Sequence, residues 1–313
     1  MHFQMAKLQK PVFFDHDGGI DDLVALILLL TMENVRLTGV SVVEADCIAD
    51  QAIESTLRIA SLFCRHDIEV ARSEAQAVNP FPEPWRKRPG AVNSFEELRY
   101  CQPDYDKYVL EEGADFLARK LNEEPEKTTI VITGPCSNIL NALERHPEIS
   151  EKIEQIIWMG GAFLENGNVM EPDHDGSAEW NVYWDPISAK KLLQSGLNIL
   201  LFPLDACAQV PLDEHLLFEL NEQVEDSKLS SLVQKMYNLV HLHEKYFMWD
   251  VLTAAYVGKP QLAKLVSFCA DVEIRGTSKG NTYKTNTGNP IRIANCVNEN
   301  LFYEYFLRQL SSF

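Results

Sequence analysis

The sequence predicts an α/β fold: a single domain with a mostly parallel, Rossmann-like open sheet flanked by helices. Short apolar runs of strand length alternate along the chain with longer stretches of helical periodicity. Such alternation favours parallel strands with helices on both faces of the sheet. Polar residues follow several of the apolar runs, and ligands bind at the carboxyl ends of strands in open α/β sheets. We therefore expect an active site at that edge of the sheet.

Composition excludes several classes of protein. The chain has 313 residues, of which 46% are hydrophobic, so it can bury a large core. No stretch of sequence separates two parts convincingly, and we expect residues 1–313 to form one domain. The net charge of −18 argues against binding to nucleic acid or to anionic membrane surfaces. The longest apolar run is far shorter than the ~20 residues that a membrane span requires.

Two further features concern the cellular compartment. Residues 1–10 contain no apolar signal core. The seven cysteines are scattered without a CxxC pair, which indicates reduced thiols rather than a disulfide framework or a zinc site. We expect a cytoplasmic protein.

The first predicted strand and helix enclose the densest group of polar residues. Four aspartates lie between an apolar run at residues 11–14 and another at 23–30; they are Asp15, Asp17, Asp21 and Asp22. Crowded carboxylates repel one another, and a helix dipole offsets only about 0.3–1 kcal/mol per charge. A hard divalent cation offsets far more, because carboxylate oxygens are the ligands that Ca²⁺ and Mg²⁺ select. The alternative is a solvated acidic loop that also caps the helix.

The next unit repeats the pattern. Residues 35–43 predict a buried strand, Asp46 follows it, and helical periodicity runs from 48 to 63. After a short strand at 68–71 comes a loop at 79–90 in which several prolines argue against regular structure. This loop contains Trp85, which is either a lid residue or a plug over the core.

The remaining elements continue the alternation. Residues 162–185 form a long irregular region that carries Asn168, Glu179 and Asn181. We predict strands at 128–133, 153–159, 198–202 and 266–274, and helices at 104–121, 137–145, 186–194, 213–225, 228–246, 249–257 and 299–310.

Two interpretations match the aspartate motif only in part. Asp15 and Asp17 match the Asp-x-Asp start of haloacid dehalogenase-like phosphatases, but Gly19 stands where that family has Thr or Val. Its distal Lys and acidic pair are not evident either. The calcium loop of an EF-hand requires Asp at its fifth position, which is again Gly19.

A third interpretation accounts for motifs along most of the chain. The motif Asp15-x-Asp17-x-Gly19-x-Asp21-Asp22 resembles the N-terminal motif of the nucleoside hydrolase family. The segment TGPCSN from Thr133 resembles the metal-binding strand end of that family. GNV from Gly167 and AEWNVYWDP from Ala178 resemble its ribose-binding loop. WDVLTAAY from Trp249 resembles its last metal-ligand helix. Asp46 and Trp85 are similar to positions of the purine-specific, inosine–adenosine–guanosine-preferring branch.

The resemblance implies roles for individual residues. Ca²⁺ would be coordinated by Asp17, Asp22, Asp250 and the backbone carbonyl of Thr133, with Asp15 supporting them. Asp17 would also accept a proton from the attacking water. The ribose hydroxyls would be held by Asp21, Asn168, Glu179 and Asn181. The base would lie between Trp85 and Trp249 and form a hydrogen bond with Asp46.

The implied activity is Ca²⁺-dependent hydrolysis of the N-glycosidic bond of purine ribonucleosides (inosine, adenosine or guanosine) in purine salvage. Trp249 stands where the branch with broader base preference carries a proton-donating His, which favours purines. Three alternatives stay open: broad or pyrimidine preference, a phosphatase, and a non-catalytic nucleoside- or calcium-binding protein. Relatives suggest a homo-oligomer, with a dimer favoured. We expect no nucleic-acid or membrane partner.

The sequence also assigns residues away from the site. We expect Trp180 and Trp184 to be ordinary core residues, and His241 and His243 to be lid residues at most. The stretch before Trp249 lacks the Arg-bearing loop of purine-specific relatives, and either Lys245 or Tyr246 is a candidate substitute.

Overall fold

The computed structural model describes residues 9–164, 166–240 and 245–312, which form an α/β domain around one mixed sheet. The strands are β1 (Lys10–His16), β2 (Val35–Val42), β3 (Val70–Arg72), β4 (Tyr108–Val109), β5 (Thr128–Ile132), β6 (Ile153–Met159), β7 (Ile199–Phe202), β8 (Ala263–Val272), β9 (Thr282–Thr285) and β10 (Pro290–Val297).

Helices connect these strands and cover both faces of the sheet. They are α1 (Ile20–Thr31), α2 (Ala49–Leu62), α3 (Glu83–Arg86), α4 (Glu96–Arg99), α5 (Gly113–Glu123), α6 (Ser137–Arg145), α7 (Trp180–Trp184), α8 (Pro186–Gln194), α9 (Leu204–Cys207), α10 (Glu214–Glu222), α11 (Lys228–Tyr237), α12 (Trp249–Gly258) and α13 (Glu299–Ser311).

The strand order is β4-β3-β2-β1-β5-β6-β7-β10-β8-β9. All neighbouring pairs from β4 through to β10 are parallel, while β8 and β9 close one edge as antiparallel strands. β1 lies between β2 and β5, so the chain order reverses at β1. Such a reversal opens a crevice at the carboxyl ends of the two strands, where open α/β sheets bind ligands. The predicted mostly parallel, helix-flanked sheet is confirmed.

Two apolar helices bring acidic residues into the interior. α1 and α12 are apolar around most of their circumference, as is typical of helices buried on all sides. They pack against each other beside the sheet. Each carries aspartate in its first turn, so their packing places acidic groups from distant parts of the chain side by side.

Several predicted elements differ from the structure. The predicted helix at 104–121 is instead a 3₁₀ turn, the short strand β4 and the helix α5, because pairing with β3 extends the chain at Tyr108. The loop at 79–90 contains the helical turn α3 and the start of a 3₁₀ helix over Pro89–Ser94, because proline is tolerated in a first turn. The late region forms the antiparallel strands β8, β9 and β10 rather than one strand.

The second of the two predicted late helices is shorter than expected. α11 ends at Tyr237, whereas helical periodicity predicted an end at 246. His241 and His243 lie outside the described residues. Within the described ranges, no helix combines the length and the apolar character needed to cross a lipid bilayer.

Candidate active site

A cavity of about 300 Å³ opens at the carboxyl ends of the central strands. It is bordered by the starts of α1 and α12, the α3 segment and the loop before α7. The predicted site residues that line it are Asp17, Asp21, Asp22, Asp46, Trp85, Thr133, Asn168, Glu179, Asn181, Trp249 and Asp250. Of the predicted set, Asp15 alone is not in the cavity wall. The volume of the cavity is at the lower end of the range for small-molecule sites.

Four carboxylates form what we call the acidic floor of this cavity: Asp17, Asp21, Asp22 and Asp250. Asp17 follows β1, the next two begin α1, and Asp250 begins α12. None of the four is more than 5% exposed. The topology therefore brings residue 250 together with the opening motif in a site shielded from solvent.

The donor set of the acidic floor suits a hard cation. Carboxylate oxygens of Asp21, Asp22 and Asp250 lie within 4.8 Å of one another. Asp17 contacts Asp22 directly through their carboxyl groups. This aspartate cluster is able to bind a metal ion. Asp21 thus lies next to Asp22 and Asp250, two of the predicted metal ligands. Asp17, the third predicted carboxylate ligand, borders this group through its contact with Asp22.

Burial and mutual repulsion disfavour the ionised forms of the carboxyl groups in the acidic floor. Burial raises the pKa of Asp22 to about 7, and it holds the pKa values of Asp17 and Asp250 well above their ordinary range. Coulombic repulsion between the aspartates raises these pKa values further. A bound divalent cation has the opposite effect, since it favours the ionised carboxylates.

Asp15 lies behind the acidic floor, fully buried in the sheet. Its Oδ2 accepts hydrogen bonds from the Ser41 hydroxyl and from Nδ2 of Asn138, the latter at 2.6 Å. Its backbone carbonyl accepts from the amide of Thr133. The structure thus places Asp15 where it fixes the neighbouring strand end without touching the cavity.

Polar residues from the loop before α7 form a second wall. Glu179 caps α7, and its carboxylate accepts hydrogen bonds from the amides of Asn181 and Val182 and from Gly161 across the cavity edge. Nδ2 of Asn181 donates to the carbonyl of Thr133 at 3.0 Å. Burial raises the pKa of Glu179 to about 7. These bonds hold both side chains rigidly next to the acidic floor.

Aromatic side chains form what we call the aromatic rim, in two groups of touching rings. Phe81, Trp85 and Trp180 make one group, with Trp85 and Trp180 in edge contact at 5.4 Å between centroids. Tyr246, Phe247 and Trp249 make the other, with Tyr246 and Trp249 at 4.6 Å. All six rings line the cavity. Flat apolar surfaces of this kind suit a planar heterocycle.

Three rim residues were not assigned to the site from sequence, namely Phe81, Trp180 and Phe247, and Tyr246 was named only as a candidate substitute for the missing loop. Trp180 was expected to be core; it is buried, yet it lines the cavity, and its amide donates to Oδ1 of Asn168. The hydroxyl of Tyr246 donates to Oδ1 of Asp21 at 2.9 Å and so connects the rim with the acidic floor. The position of Trp180 between Glu179 and Asn181 was the signal available. Trp184 is fully buried.

Asp46 lies closer to the acidic floor than its distance in sequence suggests. Its amide donates to Oδ2 of Asp17 at 3.2 Å. A Cβ atom on Gly19 would lie 2.4 Å from Oδ2 of Asp46 and 2.9 Å from Oδ2 of Asp22. Gly19 has an ordinary φ of −60°, so it is needed there for space rather than for backbone freedom.

Comparisons with known proteins agree over most of the chain. Residues 12–304 match the sequence profile described as inosine-uridine preferring nucleoside hydrolase. The chain is 29% identical over 280 residues to the pyrimidine-specific ribonucleoside hydrolase RihA of Salmonella newport, covering 85% of each protein. It is 25% identical over 293 residues to the probable uridine nucleosidase 2 of Oryza sativa subsp. japonica, covering 90% of this chain and 86% of the relative.

Solved structures give the same picture. The inosine-uridine preferring nucleoside hydrolase from Bacillus anthracis superposes with a TM-score of 0.92 at 37% identity, over 97% of this chain and 100% of that one. The purine-preferring ribonucleoside hydrolase from Gardnerella vaginalis shares the fold, with a TM-score of 0.81 at 22% identity over 97% and 98% of the two chains.

Proposed function

Because the chain belongs to the inosine-uridine preferring nucleoside hydrolase family, we propose that it hydrolyses purine ribonucleosides in a Ca²⁺-dependent reaction. Membership in the family supports nucleoside hydrolase activity, that is, cleavage of an N-glycosidic bond. The preference for inosine, adenosine or guanosine and the identity of the metal as Ca²⁺ are our proposals.

One observation carries the proposal: acidic side chains that are far apart in sequence meet at one cavity. Asp17 and Asp22 come from the opening motif, and Asp250 reaches them through the packing of α12 on α1. With the carbonyl of Thr133, they would hold Ca²⁺. When bound there, the ion would lower the pKa of a water molecule, so that a carboxylate suffices as base.

The protein side chains have separate tasks in this reaction. Asp17 would accept the proton of the attacking water, and the other carboxylates would stabilise the positive charge that develops on the sugar. Bond cleavage leaves an oxocarbenium-like ribose, for which a buried group of carboxylates is complementary. The burial of the acidic floor strengthens this stabilisation, because water does not screen it.

The ribose hydroxyls would bind to Asp21, Asn168, Glu179 and Asn181. All four line the cavity next to the acidic floor. Their orientations are fixed by bonds within the protein, such as that from Tyr246 to Asp21. A pre-positioned polar wall of this kind orients the sugar for attack at little entropic cost.

The purine would bind between Trp85 and Trp249, with Asp46 as a hydrogen-bonding partner. The purine leaves with the electron pair of the broken bond, so it departs readily only when it is protonated or when the resulting negative charge is otherwise stabilised. Stacking against indole faces stabilises the more positive, protonated ring. Position 249 carries no histidine to donate a proton directly, which favours catalysis by stacking.

Broad or pyrimidine base preference is the second candidate. It is favoured by similar proteins that are named a pyrimidine-specific ribonucleoside hydrolase, a probable uridine nucleosidase and an inosine-uridine preferring nucleoside hydrolase. A comparison of kcat/KM for inosine and uridine decides between the two candidates.

The direct assay is release of hypoxanthine from inosine by the purified protein. We expect release with Ca²⁺ present, loss of release after chelation, and recovery when Ca²⁺ is restored. If the protein binds inosine but leaves it intact, it is a binding protein. If it releases phosphate from phosphate esters with Mg²⁺ instead, it is a phosphatase.

The physiological setting rests on the resemblance alone. We propose a cytoplasmic enzyme of purine salvage that assembles as a homodimer. Light scattering coupled to size exclusion tests the oligomeric state.

A further inference from the structure

The turn that carries Trp85 is attached to the molecule by few apolar contacts. None of the residues of α3 is fully buried. Trp85 itself is half-buried and packs its ring on Phe81 and Trp180. Something other than core packing must therefore fix the orientation of this turn.

The carboxylate of Glu44 provides a side-chain attachment for this turn. Oε1 of Glu44 accepts a hydrogen bond from Nη2 of Arg86 at 2.5 Å, and its Oε2 accepts from Nη2 of Arg72 at 2.6 Å. Arg72 also contacts Asp50 at 3.2 Å. Each oxygen of Glu44 thus binds one arginine. Arg72, on β3, fixes the Glu44 carboxylate, and this carboxylate in turn holds Arg86, the neighbour of Trp85. Linked pairs of this kind restrain geometry better than an isolated surface pair.

The same carboxylate belongs to the segment that carries Asp46. Glu44 lies between β2 and Asp46, and the amide of Ile48 donates to the backbone carbonyl of Arg86 at 3.2 Å. The bond from Arg86 to Glu44 and the bond from Ile48 to Arg86 therefore both hold the segment from 44 to 48 to the α3 turn. The segment and the turn each carry a residue of the cavity wall.

The two ends of the Trp85 segment are anchored independently of Glu44. Upstream, Asn79 donates to the carbonyls of Tyr183 and Trp184. Downstream, Asn93 bonds with Gln51 and Ser55 of α2. Loss of the Glu44 contact is thus expected to release the turn between these anchors without unfolding the segment.

We propose that Glu44 is a positioning residue that fixes Trp85 in the wall of the cavity that binds the base, which we call the base wall. This inference rests on the proposed binding of the base by Trp85. The Glu44 carboxylate clamps Arg86 to Arg72 and thereby holds Trp85 at the cavity. Glu44 does not line the cavity, so it acts on substrate only through this wall.

Glu44→Gln is the sharpest variant, because the NH2 group that replaces one carboxylate oxygen cannot accept from the arginine on that side, and the negative charge that pairs with both arginines is lost. Glu83→Gln is the matched control. It makes the same chemical change on α3 itself and removes an ion pair of 2.5 Å with Lys87, in which both side chains are largely exposed. Glu83 does not line the cavity either.

In kinetics, Glu44→Gln should lower kcat/KM for inosine about threefold to tenfold, the scale of losing one aromatic contact. Activity on p-nitrophenyl riboside should stay within about twofold of the parent, because its leaving group requires no protonation. Glu83→Gln should match the parent on both substrates. Equal losses on both substrates in Glu44→Gln would contradict a role confined to the base wall.

A spectroscopic measurement keeps this test separate from the proposed activity. In protein labelled with 5-fluorotryptophan, the ¹⁹F resonance of Trp85 is assigned as the signal that disappears from the spectrum of the Trp85→Phe variant. It should shift or broaden in Glu44→Gln and stay unchanged in Glu83→Gln, even if the parent proves inactive on inosine. An unchanged Trp85 resonance in Glu44→Gln overturns the proposal. If that variant does not fold, Arg86→Lys replaces it with the same expected and contradicting results, since lysine lacks the guanidinium fork.

Discussion

The acidic floor and the aromatic rim line the same cavity but are built in different ways. The floor comes from the ends of regular elements: β1, the start of α1 and the start of α12. The rim comes from the short turn α3, the start of α7 and the stretch that leads into α12. The floor is nearly inaccessible to solvent, whereas Trp85 and Trp249 are half-buried.

This difference separates chemistry from base selection. Residues at the ends of central strands cannot move without disturbing the sheet, so they suit the step that every substrate shares. Residues on short turns can vary without altering the core, and loops carried by a rigid scaffold commonly determine specificity. We therefore expect floor variants to lose activity on all substrates and rim variants to lose it selectively.

The largest effect is expected for Asp17→Ala. Loss of both the proton acceptor and a metal ligand should lower kcat by at least about 10²–10⁴-fold, the usual contribution of a general base. The loss should be the same for inosine and for p-nitrophenyl riboside, because both need an activated water. Steady-state kinetics on the two substrates measures it.

Asp67→Ala is the control for Asp17→Ala. Asp67 pairs with Arg65 at the surface and is absent from the cavity wall. Its substitution should leave kcat unchanged. Near-normal turnover in Asp17→Ala would remove this residue from the role of base.

A smaller and selective effect is expected for Trp249→Ala. Stacking of a base on an aromatic side chain contributes about 1–3 kcal/mol, so kcat/KM for inosine should fall about fivefold to 150-fold. Activity on p-nitrophenyl riboside should fall far less. Phe218→Ala, which removes an exposed aromatic ring outside the cavity, should change neither. Equal losses on both substrates in Trp249→Ala would argue against catalysis by stacking.

The smallest effect is expected for Gly19→Ala, which tests the role of the Asp46 carboxylate beside the acidic floor. The added methyl group would displace the Asp46 carboxylate, since its Oδ2 is 2.4 Å from the new atom. We expect kcat/KM for inosine to fall up to about tenfold, the size of one perturbed hydrogen bond.

A double-mutant cycle identifies the residue through which Gly19→Ala acts. If the effect passes through Asp46, adding Gly19→Ala to Asp46→Ala should cost little more. Full additivity would mean that the methyl group acts on Asp22 instead, which lies 2.9 Å from it.

The acidic floor follows closely from sequence. Asp17, Asp21 and Asp22 stand between a strand-length apolar run and a fully apolar helix, and that pattern fixes where they lie in the sheet. Asp250 was assigned through the family motif rather than through periodicity. Its meeting with the opening motif depends on the packing of α12 on α1, which no local pattern encodes.

The rim could be predicted only in part. Trp180 was expected to be core, and it is indeed buried, but burial alone does not reveal that one edge of the ring borders a cavity. The prolines around Trp85 obscured the turn α3, whose orientation depends on the distant Glu44. The bond from Tyr246 to Asp21 joins residues 225 positions apart and carries no sequence signal.

The most direct test of the account is a crystal structure of the protein grown with Ca²⁺, in which anomalous scattering locates the ion. We predict one ion in the acidic floor, bonded to Asp17, Asp22, Asp250 and the carbonyl of Thr133 at about 2.3–2.6 Å. A cavity without an ion at saturating Ca²⁺, or an ion held by Asp21, Asp22 and Asp250 with Asp17 unbonded, would contradict it.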